Sequence, residues 1–177
     1  LSSVNASIRK GLQMDTLQDV FRIALVGFGA TAVMDVWLQL LKRLGVATQG
    51  FGLIGRWVGH LLRGRVAHAS IAKAEPVAGE LILGWLTHYA VGVLFAGLLV
   101  FAAGHTWLVS PTLLPALAAG VLTVAAPLLI MQPSMGAGFF ASKTPSPARS
   151  CTRSLLNHTV FGLGLYLSAS LVAFVQP

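Results

Sequence analysis

Three side chains that can take part in acid–base chemistry lie inside long apolar stretches of this chain. Asp35, His88 and His158 are the only acidic, basic or imidazole groups in the runs 23–41, 81–104 and 154–175. A carboxylate beside two imidazoles can bind a cation, relay protons or hydrogen-bond a ligand. If each run is a helix in a bilayer, such groups must face other protein rather than lipid. The sequence therefore predicts a shared polar site between helices.

Other polar residues extend this predicted site. Gly27, Thr31, Asp35 and Gln39 recur every fourth residue and would form one stripe along a helix. Counting about 1.5 Å per residue places the three ionisable groups in the same half of the membrane, toward the first and third loops. We therefore expect one binding cluster, whose members are Asp35, His88, His158, Asn157, Thr31 and Gln132. The alternative is that these residues hydrogen-bond across helices only to fix their packing.

The composition of the chain excludes a water-soluble core. Of 177 residues, 55% are hydrophobic and only 10% are charged, whereas soluble domains carry about 25% charged residues. The mean hydropathy is +0.78. Twelve Lys and Arg against five Asp and Glu give a net charge of +7. These bases lie in the gaps between apolar runs, so they indicate membrane topology rather than nucleic-acid binding.

The elements that must position the cluster follow from the apolar runs. A bilayer span needs about 20 apolar residues, and four runs qualify, at about 17–44, 81–104, 112–132 and 154–175. Pro127 is expected to kink the third. The predicted fold is all-α, a bundle of four transmembrane helices. Residues 1–13 are polar and are expected to be a disordered leader, with residues 14–177 forming a single transmembrane domain.

The first loop contains a further predicted helix. Between about residues 51 and 62, apolar residues follow helical spacing, while Arg56, His60 and Arg63 fall on the opposite face. A short amphipathic helix of this kind lies in the membrane interface. We therefore expect Arg56, Arg63 and Trp57 to contact anionic lipid headgroups. A soluble helix packed on the end of the bundle is the alternative.

Orientation is predicted by the positions of the basic residues. The first and third loops together hold nine Lys and Arg, while the amino-terminal side has three and the second loop none. Cytoplasmic loops are rich in these residues, so both termini are expected to face outside.

The Gly and Ala faces of the second and fourth spans suit close helix contacts and suggest a homo-oligomer. The second and fourth spans also share the pattern Leu-x-His-x3-Gly, which suggests a repeat of helix pairs.

Several motifs fail for want of context. Gly27-Phe-Gly29-Ala-Thr-Ala32 fits a dinucleotide fingerprint, but no alternation of strands and helices follows it. Residues around Ser134 resemble a nucleophile elbow without its leading glycine. Met131 and Met135 are weak candidates for binding copper(I), because Pro133 breaks the helical spacing between them. We predict no catalytic residues and no cofactor, and Cys151 is interpreted as a free structural thiol.

A family resemblance is carried by six segments of the chain. They are Gly-Ala-Thr-Ala-Val-Met-Asp35-Val-Trp, Gly55-Arg-Trp-Val-Gly-His60, Gly84-Trp-Leu-Thr-His88-Tyr-Ala-Val-Gly92, Pro111-Thr-Leu-Leu-Pro115-Ala-Leu, Met131-Gln-Pro-Ser-Met-Gly-Ala-Gly138 and His158-Thr-Val-Phe-Gly-Leu-Gly-Leu-Tyr166. They resemble an uncharacterised family of bacterial integral membrane proteins, domain of unknown function 2938. The resemblance covers residues 14–175 and implies a bacterial inner-membrane location and a start at Met14. It implies no activity.

Three classes of function remain open on these observations. The first is a small permease or solute-binding membrane protein, whose polar cluster lines a cavity that faces the cytoplasm. The second is a non-catalytic component of a membrane assembly or stress response, in which the cluster is satisfied internally and no cavity exists. The third is an intramembrane enzyme, which requires a nucleophile or metal site that the sequence does not reveal.

Overall fold

The described chain is mostly helical and has no strand. A computed structural model describes residues 2–46, 48 and 50–176, with side chains described from Thr16 onward. Its α-helices are α1 (Ser2–Arg43), α2 (Phe51–Leu61), α3 (Glu80–Ala103), α4 (His105–Val109), α5 (Leu113–Thr123), α6 (Gln132–Ser134) and α7 (Pro147–Val175). A π-helical segment, Ala126–Met131, joins α5 to α6, and single 3-10 turns occur at Ile71–Lys73 and Phe139–Ala141.

Four helices of the described chain are long and apolar enough to cross a membrane, as the sequence predicts. They are Thr16–Arg43, Glu80–Ala103, Leu113–Ser134 and Pro147–Val175, and we call them the four spans. Large apolar side chains project outward from them. Val36, Phe101, Leu114, Leu122 and Phe174 are between 72% and 89% exposed. Such an outer surface suits a lipid environment, where helices satisfy their own backbone hydrogen bonds.

The first helix begins earlier than the sequence predicts. Its backbone is helical from Ser2, whereas the expected start was about residue 17. Residues 2–13 contain no proline and only one glycine, so nothing in them forces a helix to end. Leu1 and the side chains of residues 2–15 lie outside the description. The separation of residues 1–13 from the transmembrane domain stays a prediction.

Local sequence signals explain where the spans begin and end. Lys42 and Arg43 occupy the last turn of α1, where cations interact favourably with the helix dipole. Gly45 then adopts φ +77°, and the amide of Val46 donates to the carbonyl of Leu41 at 2.9 Å. This is a Schellman ending, which favours glycine at its left-handed residue. Pro147 at the first position of α7 fits a site where no amide hydrogen is needed.

Small residues bring the spans together. The α1 helix packs on α3 and α7, and α5 packs on α7. A Cβ added to Gly27 would lie 2.4 Å from Val93 Cα, and one added to Gly120 would lie 2.6 Å from Gly162 Cα. Helices that approach this closely gain van der Waals contact where no hydrophobic driving force exists. A core cluster lies inside the bundle, and it includes Val26, Ala30, Ala96, Leu108, Phe161 and Leu165.

The two basic loops meet at one end of the bundle. The amide of His68 donates to the carbonyl of Ser134 at 2.8 Å, and that of Ile71 donates to Met135 at 3.0 Å. We call this the basic end, formed by loops 62–79 and 135–146. At the other end, Asp19 of α1 pairs with His105 at 3.1 Å.

Candidate functional site

The carboxylate of Asp35 is held between α1 and α3. Its Oδ1 lies 2.8 Å from Nε2 of His88, and its Oδ2 accepts a hydrogen bond from the hydroxyl of Tyr89 at 2.8 Å. Of the two imidazoles that the sequence groups with Asp35, the structure places His88 in direct contact with its carboxylate. Tyr89 was not predicted. Its position beside His88 in an apolar run is the signal that could have suggested it.

The close approach of α1 and α3 explains why this pair forms. A Cβ added to Gly92 would lie 2.0 Å from Oγ1 of Thr31, so these residues touch one turn above the pair. Asp35 and His88 each lie four residues from this contact, on the same faces of their helices. The hydroxyl of Thr31 donates to the carbonyl of Gly27 at 2.8 Å. Thr31 therefore serves the helix contact and also faces the cavity described below.

His158 has a different partner. Its Nδ1 lies 2.9 Å from Oγ1 of Thr123, and that hydroxyl donates to the carbonyl of Gly120 at 2.6 Å. A threonine hydroxyl has a single hydrogen. With that hydrogen given to the carbonyl of Gly120, Thr123 accepts from the Nδ1–H of His158, a tautomer assigned from the hydrogen-bond network. The Nε2 of the neutral ring is then a hydrogen-bond acceptor, and no hydrogen bond joins it to another described residue.

The remaining predicted members of the cluster lie near His158. Oδ1 of Asn157 accepts from the indole nitrogen of Trp37 at 3.0 Å, a contact that the sequence did not suggest. The amide nitrogen of Gln132 lies 3.4 Å from Oγ of Ser154. Its Oε1 is buried and has no partner among the described residues. Since a buried acceptor without a partner is costly, Gln132 is a place where a ligand or water would be stabilised.

A cavity of about 310 Å³ joins these groups. It is enclosed by α1, α2, α3, the third span and α7. Five of the six predicted cluster residues line it, and Asp35 lies behind His88. The lining is otherwise mostly apolar and includes Met34, Phe51, Ile54, Trp57, Val91, Phe95, Pro127, Ile130, Met131 and Phe161. Ligand sites commonly combine apolar walls with a few converging polar groups.

The third span shapes one wall of this cavity. The predicted irregularity at Pro127 takes the form of the π-helical segment Ala126–Met131. Proline lacks an amide hydrogen, and wider helical turns accommodate the lost bond. Ile130 in this segment is 60% exposed and also lines the cavity. The cavity therefore reaches the outer surface of the bundle beside α3.

The α2 helix forms the end wall of the cavity and packs directly on α3. A Cβ on Gly55 would lie 1.7 Å from the carbonyl oxygen of Glu80. Phe51 also stacks beside His88, with ring centroids 4.6 Å apart. The indole nitrogen of Trp57 donates to the carbonyl of Val66 at 3.0 Å. Part of the apolar face of α2 therefore covers the site.

Arg56, one of the residues expected to contact headgroups, is engaged within the protein. Arg56 donates through Nε and Nη2 to the two carboxylate oxygens of Glu80, each at 2.8 Å. These bonds raise the pKa of Arg56 above its usual value, so it stays charged. Arg63 is exposed. Headgroup contact by Arg56, Arg63 and Trp57 stays a prediction.

The expected exposure of His60 is wrong. The side chain is 2% exposed, and its Nε2 lies 2.9 Å from the carbonyl of Glu75. Its ring packs on His68 at 4.9 Å. The cause is the loop after α2, which folds back so closely that a Cβ on Gly59 would lie 2.7 Å from Val77. Helical periodicity could not reveal this covering loop.

The two candidate metal ligands, Met131 and Met135, lie in different surroundings. Met131 lines the cavity, while Met135 is buried at the basic end. In the part of the chain that the structure describes, no group of three or more His, Cys, Asp or Glu side chains could hold a metal ion. Cys151 is a free thiol, partly exposed, whose Sγ lies 3.2 Å from the carbonyl of Phe140.

Comparison with known proteins gives a family. No curated protein and no solved structure matches this chain. Residues 24–172 match a family model described as a protein of unknown function, DUF2938. The matched region contains every residue of the polar cluster. Because the match extends over most of the sequence, the chain belongs to the DUF2938 family.

Proposed function

We propose that this protein is a multi-pass membrane protein that binds a small, largely apolar solute in the cavity between its spans, as a permease or a solute-binding protein. The observation that carries the proposal is the cavity of about 310 Å³. Its volume is at the lower end of the usual range for small-molecule sites. The unpartnered acceptors on His158 and Gln132 support it, because they offer hydrogen bonds that the protein does not use.

The alternative of a purely structural cluster accounts for only part of this arrangement. Asp35, His88 and Tyr89 bond to one another, as expected if they only fix the packing of α1 on α3. A structural cluster needs no adjoining cavity, however, and none of these bonds requires the open space beside His158. The cavity therefore favours solute binding over a role in assembly alone.

An intramembrane enzyme is less well supported. The pair formed by Thr123 and His158 resembles a nucleophile with its base, but the hydroxyl hydrogen of Thr123 is directed to the carbonyl of Gly120. The ring nitrogen beside Thr123 is therefore a donor and cannot remove that hydrogen. Ser154 lies in the cavity lining, and its hydrogen-bond partner is Gln132 rather than an imidazole.

The cellular location and orientation of the protein are also part of the proposal. We place the protein in a bacterial inner membrane, with the basic end in the cytoplasm and both termini outside, because Lys and Arg concentrate in cytoplasmic loops. The polar residues of the cavity then lie toward the cytoplasm. Since Ile130 is exposed at the cavity wall, a solute would reach the cavity from the bilayer, between α3 and the π-helical segment.

A homo-oligomer remains part of the proposal, but it would form through a surface other than the Gly and Ala faces of the second and fourth spans. Gly84, Gly92 and Ala96 of the second span are buried inside the monomer, as are Gly162 and Gly164 of the fourth. These small-residue faces are thus occupied by helices of the same chain. An oligomer would use the exposed apolar outer surface instead.

Filling the cavity tests the proposed function. Val91 of α3 lines the cavity, whereas Leu94, on the same helix, is 57% exposed and does not. Val91→Trp should reduce the amount of small molecules that co-purify with the protein in discs of native membrane by at least about tenfold, a loss of roughly 1.4 kcal/mol in binding. Leu94→Trp is the matched control and should retain them. Mass spectrometry of solvent extracts measures both. Equal content in the two variants would contradict solute binding in the cavity.

A further inference from the structure

We propose that the solute is a small hydrophobic ammonium ion, an amine that carries N–H hydrogens and a positive charge, and that it competes with protons for the cavity. This inference rests on the proposed function and adds the chemical class of the solute. Its basis is the combination of imidazole acceptors, a partly buried carboxylate and aromatic walls at a cavity whose lining contains no Lys or Arg.

The cavity lining offers acceptors on its two imidazoles, beside donors in the amide of Asn157 and the hydroxyl of Ser154. His158 donates through Nδ1 to Thr123, which leaves its Nε2 as an acceptor. In His88, Nε2 donates to Asp35, because that carboxylate also receives the hydroxyl of Tyr89 and has no hydrogen of its own to give. The Nδ1 of neutral His88 is then an acceptor as well. Oε1 of Gln132 is a further acceptor near the cavity, buried and without a partner among the described residues. A ligand that donates hydrogen bonds fits this set.

The negative charge near the cavity favours binding of an ammonium ion over a neutral alcohol. With both imidazoles neutral, no described side chain in the cavity lining carries a formal charge, and the negative charge of Asp35 lies one hydrogen bond behind His88. Basic side chains near α2 are directed elsewhere, since Arg56 is bound to Glu80. In surroundings of low dielectric constant, an unbalanced negative charge attracts a cation more strongly than it would in water. An anion would be repelled.

Aromatic walls provide a second attraction for a cation. Phe51, Trp57, Phe95 and Phe161 all line the cavity, and the rings of Phe95 and Phe161 pack at 6.2 Å. The faces of such rings attract cations, most strongly where water is excluded. An ammonium ion with an apolar or aromatic body can use these walls and the acceptors together.

Protons and the ammonium ion should exclude each other. A proton on Nδ1 of His88 would turn that acceptor into a donor and add a positive charge beside the cavity. The titratable groups facing this region are Asp35 from α1, His88 and Tyr89 from α3, and His158 from α7. The third span supplies none to the lining, and on α2 Arg56 and His60 are bound to Glu80 and to the carbonyl of Glu75. Acidification should therefore release the ligand.

A series of three probes of nearly equal size tests the inference. Phenethylammonium, 2-phenylethanol and phenylacetate share an aromatic body and differ in charge. Binding to the purified protein in phosphatidylcholine nanodiscs is measured by calorimetry at about pH 8 and about pH 5, on either side of the range in which imidazoles titrate. The amine stays protonated at both values. We expect it to bind at least about tenfold more tightly than the alcohol at the higher pH, with weaker binding at the lower pH and none of phenylacetate.

A matched pair of variants locates the charge effect. Asp35→Asn should reduce the preference for the amine over the alcohol, leaving only the part that the aromatic walls supply, while Asp19→Asn should leave the full preference intact. Asp19 also pairs with a histidine, His105, but at the opposite end of the bundle. Equal or tighter binding of the alcohol to the unaltered protein would overturn the inference, as would an affinity for the amine that does not change with pH. Absence of binding by all three probes would also overturn it, whereas the proposed function would fail only if Val91→Trp kept its co-purified solutes.

Discussion

At the scale of single residues, Asp35 satisfies two donors that have no other described acceptor. His88 and Tyr89 both direct a hydrogen to its carboxylate. A buried donor that loses its acceptor costs about 1–3 kcal/mol, although contacts of this kind inside membrane proteins average about 0.6 kcal/mol. Asp35 is therefore important for stability whatever the cavity binds.

Two substitutions at Asp35 separate packing from charge. Asp35→Leu should lower the thermal unfolding midpoint by several degrees, since about 1 kcal/mol corresponds to roughly 2–4 °C in a chain of this size. Asp35→Asn should lower it less, because the amide oxygen still accepts a hydrogen bond. Fluorescence-detected size-exclusion chromatography after heating measures both midpoints.

The control for this comparison is Asp19→Leu. The pair formed by Asp19 and His105 is partly exposed, with side-chain exposures of 29% and 58%, and exposed ion pairs contribute little to stability. Its midpoint should therefore stay near that of the unaltered protein. Equal losses for Asp35→Leu and Asp35→Asn would show that the hydrogen bonds of Asp35 do not stabilise the bundle.

Sequence spacing predicted which residues form this site better than it predicted which hydrogen bonds they make. The stripe of Thr31 and Asp35, and the depth of His88, follow from counting along a helix, so their meeting could be expected. The bond between Trp37 and Asn157 could not, because it depends on how α1 and α7 are rotated about their axes. That rotation is set by contacts such as Gly164 against Ala30, where a Cβ would lie 2.9 Å from the carbonyl oxygen.

At the scale of elements, α2 shows that an amphipathic pattern predicts a helix but not what covers its apolar face. The sequence predicted a helix at about 51–62, and the structure has Phe51–Leu61. Its apolar spacing shows that one face avoids water, but not whether lipid or protein covers it. Gly55 and Gly84 decide this, because the backbones of α2 and α3 touch where both lack a side chain.

Adding a methyl group at this contact should detach α2. In Gly55→Ala the new Cβ would lie 1.7 Å from the carbonyl oxygen of Glu80, so the helices must move apart. Overpacking of this kind costs about 1–3 kcal/mol. We expect faster hydrogen–deuterium exchange of the amides in Phe51–Leu61 and a lower unfolding midpoint, measured in nanodiscs.

The matched control lies one turn earlier in the same helix. A Cβ on Gly52 would meet only Oε1 of Glu80, at an ordinary 3.7 Å. Gly52→Ala should therefore keep or slightly raise stability, since alanine favours a helix by roughly 0.5–1 kcal/mol over glycine. Unchanged exchange in Gly55→Ala would show that α2 is not docked through this contact.

At the scale of the whole molecule, the two halves of the bundle are built alike. Gly92 touches Thr31 while His88 bonds to Asp35, and Gly162 touches Gly120 while His158 bonds to Thr123. The pattern Leu-x-His-x3-Gly thus has the same use in both helix pairs. Within this repeat, the contacts relate Asp35 of the first span to Thr123 of the third. Apolar helices offer too few distinct residues to fix such a register from sequence.

The arrangement of charge over the molecule makes its orientation testable. Loops 62–79 and 135–146 hydrogen-bond to each other, so their bases form one surface at the basic end. Asp19 and His105 pair at the other end. A membrane potential and the translocation machinery both disfavour moving so many cations across the bilayer. We therefore expect Ser146 in the cytoplasm and Ser110 outside.

Two serine-to-cysteine variants measure this orientation under matched conditions. Ser146 and Ser110 are both exposed and lie at opposite ends of the bundle, and the single native thiol is first removed by Cys151→Ser. In intact bacterial cells an impermeant maleimide should label Ser110→Cys, and it should label Ser146→Cys only after the membrane is permeabilised. The reverse pattern would invert the topology and turn the polar half of the cavity outward. A cytoplasmic thiol protein that stays unlabelled verifies that the cells are intact. Labelling of both variants in such cells would rule out a single orientation. The nine basic residues beside the first and third loops would then fail to hold the basic end on one side.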